Sequence, residues 1–250
     1  MNYCDKSKWT VSCKKIDNGN LTLLCFPYAG GSAAAFESWG NCIPDNVNMV
    51  VVELPGHGMR LSEKPIDDFE MIVDKVTKAF APFLSSPYII FGHSMGAILA
   101  FEFVRHLERL GLPIPIHLFL SAQYGPRIKI EPNYNLPDDE FIYQLKKKGG
   151  TPAEVLASKE LMECFLPMIR LDHKLVETYC DRYKKEPSLK CPITIFAGLD
   201  DAIPKESLES WRDETSECFD IKYLPGGHFF IFQQQEIIIP FMLKKVSAIA

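Results

Sequence analysis

No two of the eight cysteines (Cys4, Cys13, Cys25, Cys42, Cys164, Cys180, Cys191 and Cys218) form a C-x-x-C pair, and none alternates with histidine at metal-ligand spacing. That sets aside a disulfide scaffold and a zinc site. Several thiols, Cys25 and Cys218 among them, are expected to be small buried hydrophobes in a reducing compartment. No stretch approaches about 18 uninterrupted apolar residues, the length a membrane span needs. The opening residues, with Asp5, Lys6 and Lys8 and no apolar run, do not read as a secretory signal. The expectation is a soluble, cytoplasmic protein. Net charge is −5, and Lys146-Lys147-Lys148 is the only basic triplet, expected at a solvated helix end. Nucleic acid and membrane are therefore not expected as partners. There is no glycine-rich dinucleotide fingerprint, P-loop or metal-ligand cluster, so neither cofactor nor metal is expected. No coiled-coil pattern or obvious apolar edge appears, which favours a monomer.

What is present is an ordinary globular composition: 250 residues, 47% hydrophobic and 24% charged. That length suits one large domain spanning residues 1–250, with a core that needs no staples. Continuous apolar runs at 21–26, 49–53, 88–91, 117–122 and 193–197 read as strands, as does 219–224. Helical spacing intervenes at 32–39, 69–84 and 95–110, with Gly111 placed as a stop. Continuous rather than alternating runs suit parallel strands covered on both faces. The chain is thus predicted to be α/β, with a mostly parallel central sheet and helices on both faces.

The rhythm changes from about residue 127 to residue 190. Leu136-Pro137-Asp138-Asp139-Glu140 reads as an acidic helix start, and Gly149-Gly150-Thr151-Pro152 as a break. A further helix over 159–179 is expected to be disturbed at Pro167, and one over 230–246 at Pro240. This segment without strands reads as a helical lid inserted into the α/β domain. The plainer alternative is one more helical layer on the sheet.

Gly92-His93-Ser94-Met95-Gly96 lies between the apolar run 88–91 and the long helix that follows. A serine on a sharp strand-to-helix turn, with small residues two before and two after, is the nucleophile-elbow arrangement. A serine nucleophile needs a base to take its proton and an acid to orient that base. Beyond the strand at 193–197 come Asp200 and Asp201; beyond the strand at 219–224 comes His228. The order Ser, acid, His is the one elbow hydrolases use, each group on a loop past a strand's carboxyl end. His228 is the expected base. The acid is Asp201 by its spacing from Gly198, with Asp200 as the alternative.

The other histidines fit less well. His57 is expected in a turn, His106 on the polar side of the long helix, His173 in the inserted segment, and His117 at a strand start. His93 is expected to support the elbow. Two backbone N–H groups should meet the oxyanion. Met95, at the start of the helix, is one candidate. Ala29, in the loop Phe26-Pro27-Tyr28-Ala29-Gly30-Gly31-Ser32, is the other, with Tyr28 next. Ser32 can also serve as a helix N-cap.

Four segments together resemble the type II thioesterases, the stand-alone editing hydrolases of nonribosomal peptide and polyketide assembly lines. They are Phe26-Pro27-Tyr28-Ala29-Gly30-Gly31, Glu53-Leu54-Pro55-Gly56-His57-Gly58-Met59-Arg60, Gly92–Gly96 and Gly226-Gly227-His228-Phe229. The chain is also similar to the medium-chain thioesterase of animal fatty acid synthase. The resemblance runs from about residue 20 to residue 235 and takes in the inserted segment. It implies an α/β-hydrolase fold and hydrolysis of an acyl thioester on the phosphopantetheine arm of an acyl or peptidyl carrier domain. Misprimed or stalled groups would be removed, or medium-length chains released. Lys146–Lys148 or Arg170 could then meet an acidic carrier. Ala202 stands after Asp201 where that family often has proline, so the choice between Asp200 and Asp201 stays open. A general carboxylesterase or lipase of the same fold is the competing reading, and a non-catalytic binding protein a remoter one.

Overall fold

In the computed structural model, which describes residues 8–14, 20–149, 158–182 and 188–247, the apolar runs assemble into one sheet. Its strands are β1 (Thr10–Lys14), β2 (Leu21–Phe26), β3 (Val47–Val52), β4 (Tyr88–His93), β5 (Leu118–Ser121), β6 (Ile193–Gly198) and β7 (Phe219–Leu224). The spatial order is β1-β3-β2-β4-β5-β6-β7. Every pairing is parallel except β1 with β3. Strand β1 carries no continuous apolar run: it is an edge strand, mostly half-exposed, and joins the sheet by its backbone.

Successive side chains of a strand point to opposite faces, so each central strand supplies two cores. Leu24, Val50 and Ile90 meet Val76, Phe101 and Phe103 on one face. Leu23, Met49 and Phe91 meet Phe36, Trp39 and Ile239 on the other. The first layer is built by α2 (Phe69–Phe80) and α3 (Met95–Arg109). The second uses the short α1 (Glu37–Gly40) and the last helix of the chain.

Local chemistry shifts several boundaries. The expected helix at 32–39 is a 3-10 turn (Ala33–Phe36) running into α1, and the Ser32 side chain makes no capping bond. The buried carboxylate of Glu53 takes the Ala33 N–H instead, at 2.7 Å. Helix α2 stops at Phe80, and the turn that follows holds Pro82. Its start is fixed by Asp68, whose side chain accepts the Met71 N–H.

Between β5 and β6 lie α4 (Asp138–Lys148), α5 (Lys159–Glu177) and α6 (Tyr179–Arg182). The helix α5 runs unbroken through Pro167, contrary to the expected disturbance. Pro167 is exposed, so the backbone bond it cannot make is lost on the solvent side. Gly149 ends α4 at φ +78, while Gly150, Thr151 and Pro152 lie outside the described residues. Phe141, Leu145, Met162, Leu166 and Ile169 give α4 and α5 a small core of their own. After β6 come α7 (Lys205–Glu209) and α8 (Gln235–Ser247), the latter continuing through Pro240 after a 3-10 turn at Phe230–Phe232.

Cys25 and Cys191 are buried, but Cys218 is exposed before the edge strand β7 and is not a core thiol. Cys4 lies outside the described residues. None of the described helices is long and apolar enough to cross a membrane.

Candidate active site

Ser94 sits between β4 and α3 at φ 53, ψ −117, a conformation side chains rarely adopt. Such a residue stores about 1–3 kcal/mol of strain, held only where the surroundings over-determine it. Here the Ser94 N–H donates to Ser121 O at 2.8 Å, and the Gln123 side-chain amide donates to Ser94 O at 3.2 Å. Gln123 is braced in turn by the Trp211 indole N–H, 2.9 Å from its carbonyl. The elbow is held from β5 and the loop that follows it.

The glycines of the elbow allow contacts that a side chain would forbid. A Cβ on Gly96 would lie 2.0 Å from Phe26 O and 2.7 Å from Pro27 O. Helix α3 therefore rests its first turn directly on the end of β2. That approach brings Met95 and Ala29 onto the lining of one cavity with Ser94.

His228, in the loop after β7, spans the site. Its Nε2 is 3.1 Å from Ser94 Oγ, and its Nδ1 is 3.0 Å from Asp201 Oδ2. A carboxylate facing Nδ1 fixes the tautomer in which Nδ1 carries the proton and Nε2 is free to accept one. Asp200, one residue earlier, has an exposed side chain; its contribution is a backbone N–H donated to Gly226 O at 3.0 Å. With Leu199 N–H donating to Leu224 O at 2.9 Å, it ties the acid loop to the histidine loop. The two adjacent aspartates thus divide: one side chain faces the imidazole, the other faces water.

His93 is fully buried behind this group, its ring centroid 5.4 Å from that of His228. Its Nδ1 lies 3.0 Å from Ser121 Oγ. Burial, and secondarily the neighbouring His228, hold its pKa well below the usual range. A neutral ring at this point places no positive charge beside His228. Phe229 packs edge-on against both Tyr28 and His228, closing one side of the cavity.

The cavity in front of Ser94 has a volume of about 120 Å³. Its floor is Tyr28, Ala29, Ser94 and Met95, and its far wall comes from α4 and α5 through Leu145, His173, Val176 and Glu177. Neither the Ala29 nor the Met95 N–H has a backbone partner among the described residues. Two unspent donors beside a serine hydroxyl can stabilise charge on a carbonyl oxygen. Burial opposes ionisation of Glu177, but His173 and the N–H groups of Tyr134 and Asn133 outweigh it and hold its pKa low.

The remaining candidates fall elsewhere. His106 is half-exposed on α3, and His117 is buried with Nε2 2.8 Å from Thr194 Oγ1. Arg170, a candidate for partner docking, is occupied: its guanidinium donates to Leu136 O at 2.7 Å and Asp138 Oδ1 at 2.6 Å, over the ring of Phe141. Lys146 and Lys147 are exposed. His57 is the residue the sequence undervalued. It is not merely in a turn but buried, with Nε2 2.8 Å from Asp172 of α5. Nothing in the local sequence signals a partner 115 positions away.

A strained serine at the carboxyl end of a parallel sheet, faced by histidine and aspartate from two later loops, is the architecture of an α/β-type hydrolase. The comparisons narrow that class. The thioesterase domain matches residues 21–246. Gramicidin S biosynthesis protein GrsT of Aneurinibacillus migulanus is 35% identical over 97% of this chain and 95% of its own. The human medium-chain S-acyl fatty acid synthase thioesterase is 33% identical over 94% of this chain and 92% of its own. Among solved structures, the type II thioesterase BorB of the borrelidin cluster superposes with a TM-score of 0.85 at 29% identity, over 95% of this chain and 97% of that one. The chain belongs to the thioesterase family and is a hydrolase acting on acyl thioesters.

Proposed function

We propose that Ser94 is the nucleophile, His228 the general base and Asp201 the acid that orients it. Ser94 Oγ attacks the thioester carbonyl carbon as His228 Nε2 takes its proton, and the Met95 and Ala29 N–H groups receive the oxyanion. Collapse breaks the C–S bond. The leaving thiolate takes the proton from His228 and leaves an acyl group on Ser94. Water, deprotonated by His228, then attacks that ester; as the second tetrahedral intermediate collapses, the departing Ser94 Oγ takes that proton back from His228 and the carboxylic acid is freed. The cycle needs no metal or organic cofactor. The observation that supports this reading most is His228 within 3.1 Å of Ser94 Oγ and 3.0 Å of Asp201 Oδ2 in a member of the thioesterase family.

The substrate proposed is an acyl group on the phosphopantetheine arm of a carrier domain, and the enzyme is proposed to act as a cytoplasmic monomer. The substrate reading is supported by the likeness to a gramicidin S biosynthesis protein and to a fatty acid synthase thioesterase. Helices α4 and α5, with residues 127–190 around them, are proposed to be a lid within a single domain, since they wall the cavity from above Ser94. Exposed Lys146 and Lys147 on α4 are available to an acidic carrier.

The test is hydrolysis of one acyl group presented on a phosphopantetheinyl carrier, on a small free thiol, and as an oxygen ester, with Ser94→Ala as the blank. Preference for the carrier-bound thioester is expected, with the blank reduced by at least about 10⁴-fold in kcat and unchanged in Tm. Equal turnover of the oxygen ester would favour a general esterase, and turnover surviving in Ser94→Ala would remove the nucleophile.

A further inference from the structure

Helix α5 grips the loop that carries the Ala29 donor, and it does so through one buried carboxylate. Asp172 is 2% exposed, and its Oδ2 accepts the Gly30 N–H at 2.7 Å. The same oxygen lies 2.8 Å from Nε2 of His57, also 2% exposed. One turn earlier on α5, Ile169 packs on Gly30 so closely that a Cβ there would stand 3.0 Å from its Cγ1. Gly30 has φ +76, and the Gly31 N–H closes a turn on Tyr28 O at 2.8 Å. Ala29 is the second residue of that turn. Its direction follows from where Gly30 is held.

Protonation is fixed by the acceptors around His57. Nδ1 lies 3.0 Å from Pro55 O, a carbonyl that can only accept, so Nδ1 carries a proton. Nε2 meets a carboxylate oxygen, so a second proton belongs there. The result is an imidazolium–carboxylate pair. Burial alone would lower the His57 pKa, yet the charge and hydrogen bond of Asp172, with Pro55 O and Glu53, raise it overall. Charge-assisted bonds of this kind are shorter and stronger than neutral ones, and inside a protein they hold their partners in one geometry.

We propose that Asp172 and His57 are positioning residues for the oxyanion: together they anchor the Tyr28–Gly31 turn to α5 so that the Ala29 N–H is aimed at the developing charge. Neither touches substrate. The inference rests on Ala29 being an oxyanion donor, and it deepens that reading. It also makes α5 serve two ends at once, because the next turn of this helix (His173, Val176, Glu177) walls the acyl cavity. A displacement of α5 on loading the cavity would therefore reach the oxyanion donor through Asp172.

Asp172→Ala removes the anchor; Asp172→Asn keeps the shape and an oxygen able to accept the Gly30 N–H, but no charge. Each would be assayed for kcat and KM on a small acyl thioester, for inhibition by a trifluoromethyl ketone whose adduct carries an oxyanion, and for Tm. A lost or misdirected donor of this type costs roughly 10²-fold. We expect kcat to fall about 10²-fold in Asp172→Ala and less in Asp172→Asn. KM should stay within about threefold, and ketone affinity should fall in step with kcat. If Asp172→Ala does not accumulate as folded protein, the Asn variant decides. Folded variants with kcat within twofold of wild type, or a loss confined to KM with ketone affinity unchanged, would overturn the inference. Fluorophosphonate labelling of Ser94 in the parent enzyme separates the two levels. If the parent is not labelled, the nucleophile assignment fails first; if it is labelled and the variants keep kcat, only the positioning role falls.

Discussion

Gly92 and Gly96 face each other across the elbow with no space for a side chain between them: a Cβ on Gly92 would lie 2.3 Å from Gly96 O. The pair sets how tightly strand β4 can turn into α3, and hence how far Ser94 is thrust into the cavity. Replacing either by alanine is expected to destabilise the fold by about 4 kcal/mol or more, because backbone, and not a yielding side chain, occupies the space. Chemical denaturation checks this; a Gly96→Ala variant within about 1 kcal/mol of the parent would show that α3 can retreat from β2.

The two adjacent aspartates should part company in kinetics. Asp201→Asn is expected to lower kcat roughly 10³- to 10⁴-fold, since an amide facing Nδ1 no longer favours the productive tautomer or steadies the imidazolium. Asp200→Asn should stay within about threefold, because only its backbone N–H is engaged. Steady-state rates on one thioester suffice; the reverse ranking would move the acid to Asp200.

Lys146 and Lys147 offer a test of carrier docking that leaves the chemistry alone. Changing both to glutamate is expected to raise KM for a carrier-bound substrate by about 3- to 10-fold at low salt. KM for a small free thioester should not move. Equal effects on both substrates would place the lysines outside any docking face.

Acid should weaken the protein partly through His117. Burial, and to a lesser degree Lys245, push its pKa down to about 4 from the usual 6.5. Between those values the unfolded chain binds a proton that the folded one refuses, so stability rises with pH across the window and is lost as pH falls. The difference of 2.5 units amounts to about 3 kcal/mol by pH 4. His117→Gln should flatten the dependence of denaturation midpoint on pH from 6.5 down to 4. An unchanged slope would assign the acid lability elsewhere, with buried His93 next in line.

What could be read from the sequence was what is encoded locally. The central strands announce themselves as unbroken apolar runs, and Ser94 by glycines two positions either side. The residues Asp201 and His228 follow strands in the order a hydrolase needs. Strand β1 escaped notice because an edge strand needs backbone partners more than an apolar pattern. Choosing between Asp200 and Asp201 needed the rotation of one loop, which spacing does not contain. The Asp172–His57 contact lay further out of reach: each residue has a bland neighbourhood, and the fold alone brings them within 2.8 Å. Arg170 misled for the opposite reason, since a cation on a helix reads as free until its carbonyl partners are seen.

The proposed base of this enzyme hangs from the margin of the sheet. Serine follows the central strand β4, but His228 follows β7, which pairs only with β6 and has mostly half-exposed or exposed side chains. Regions with few buried contacts open at lower cost than the whole molecule does. Fraying of that border would draw the imidazole away while the middle of the sheet stayed shut. If β7 is the edge that frays first, warming should silence turnover some degrees before helical signal is lost, and the working range would then answer to one border of the sheet ahead of its core.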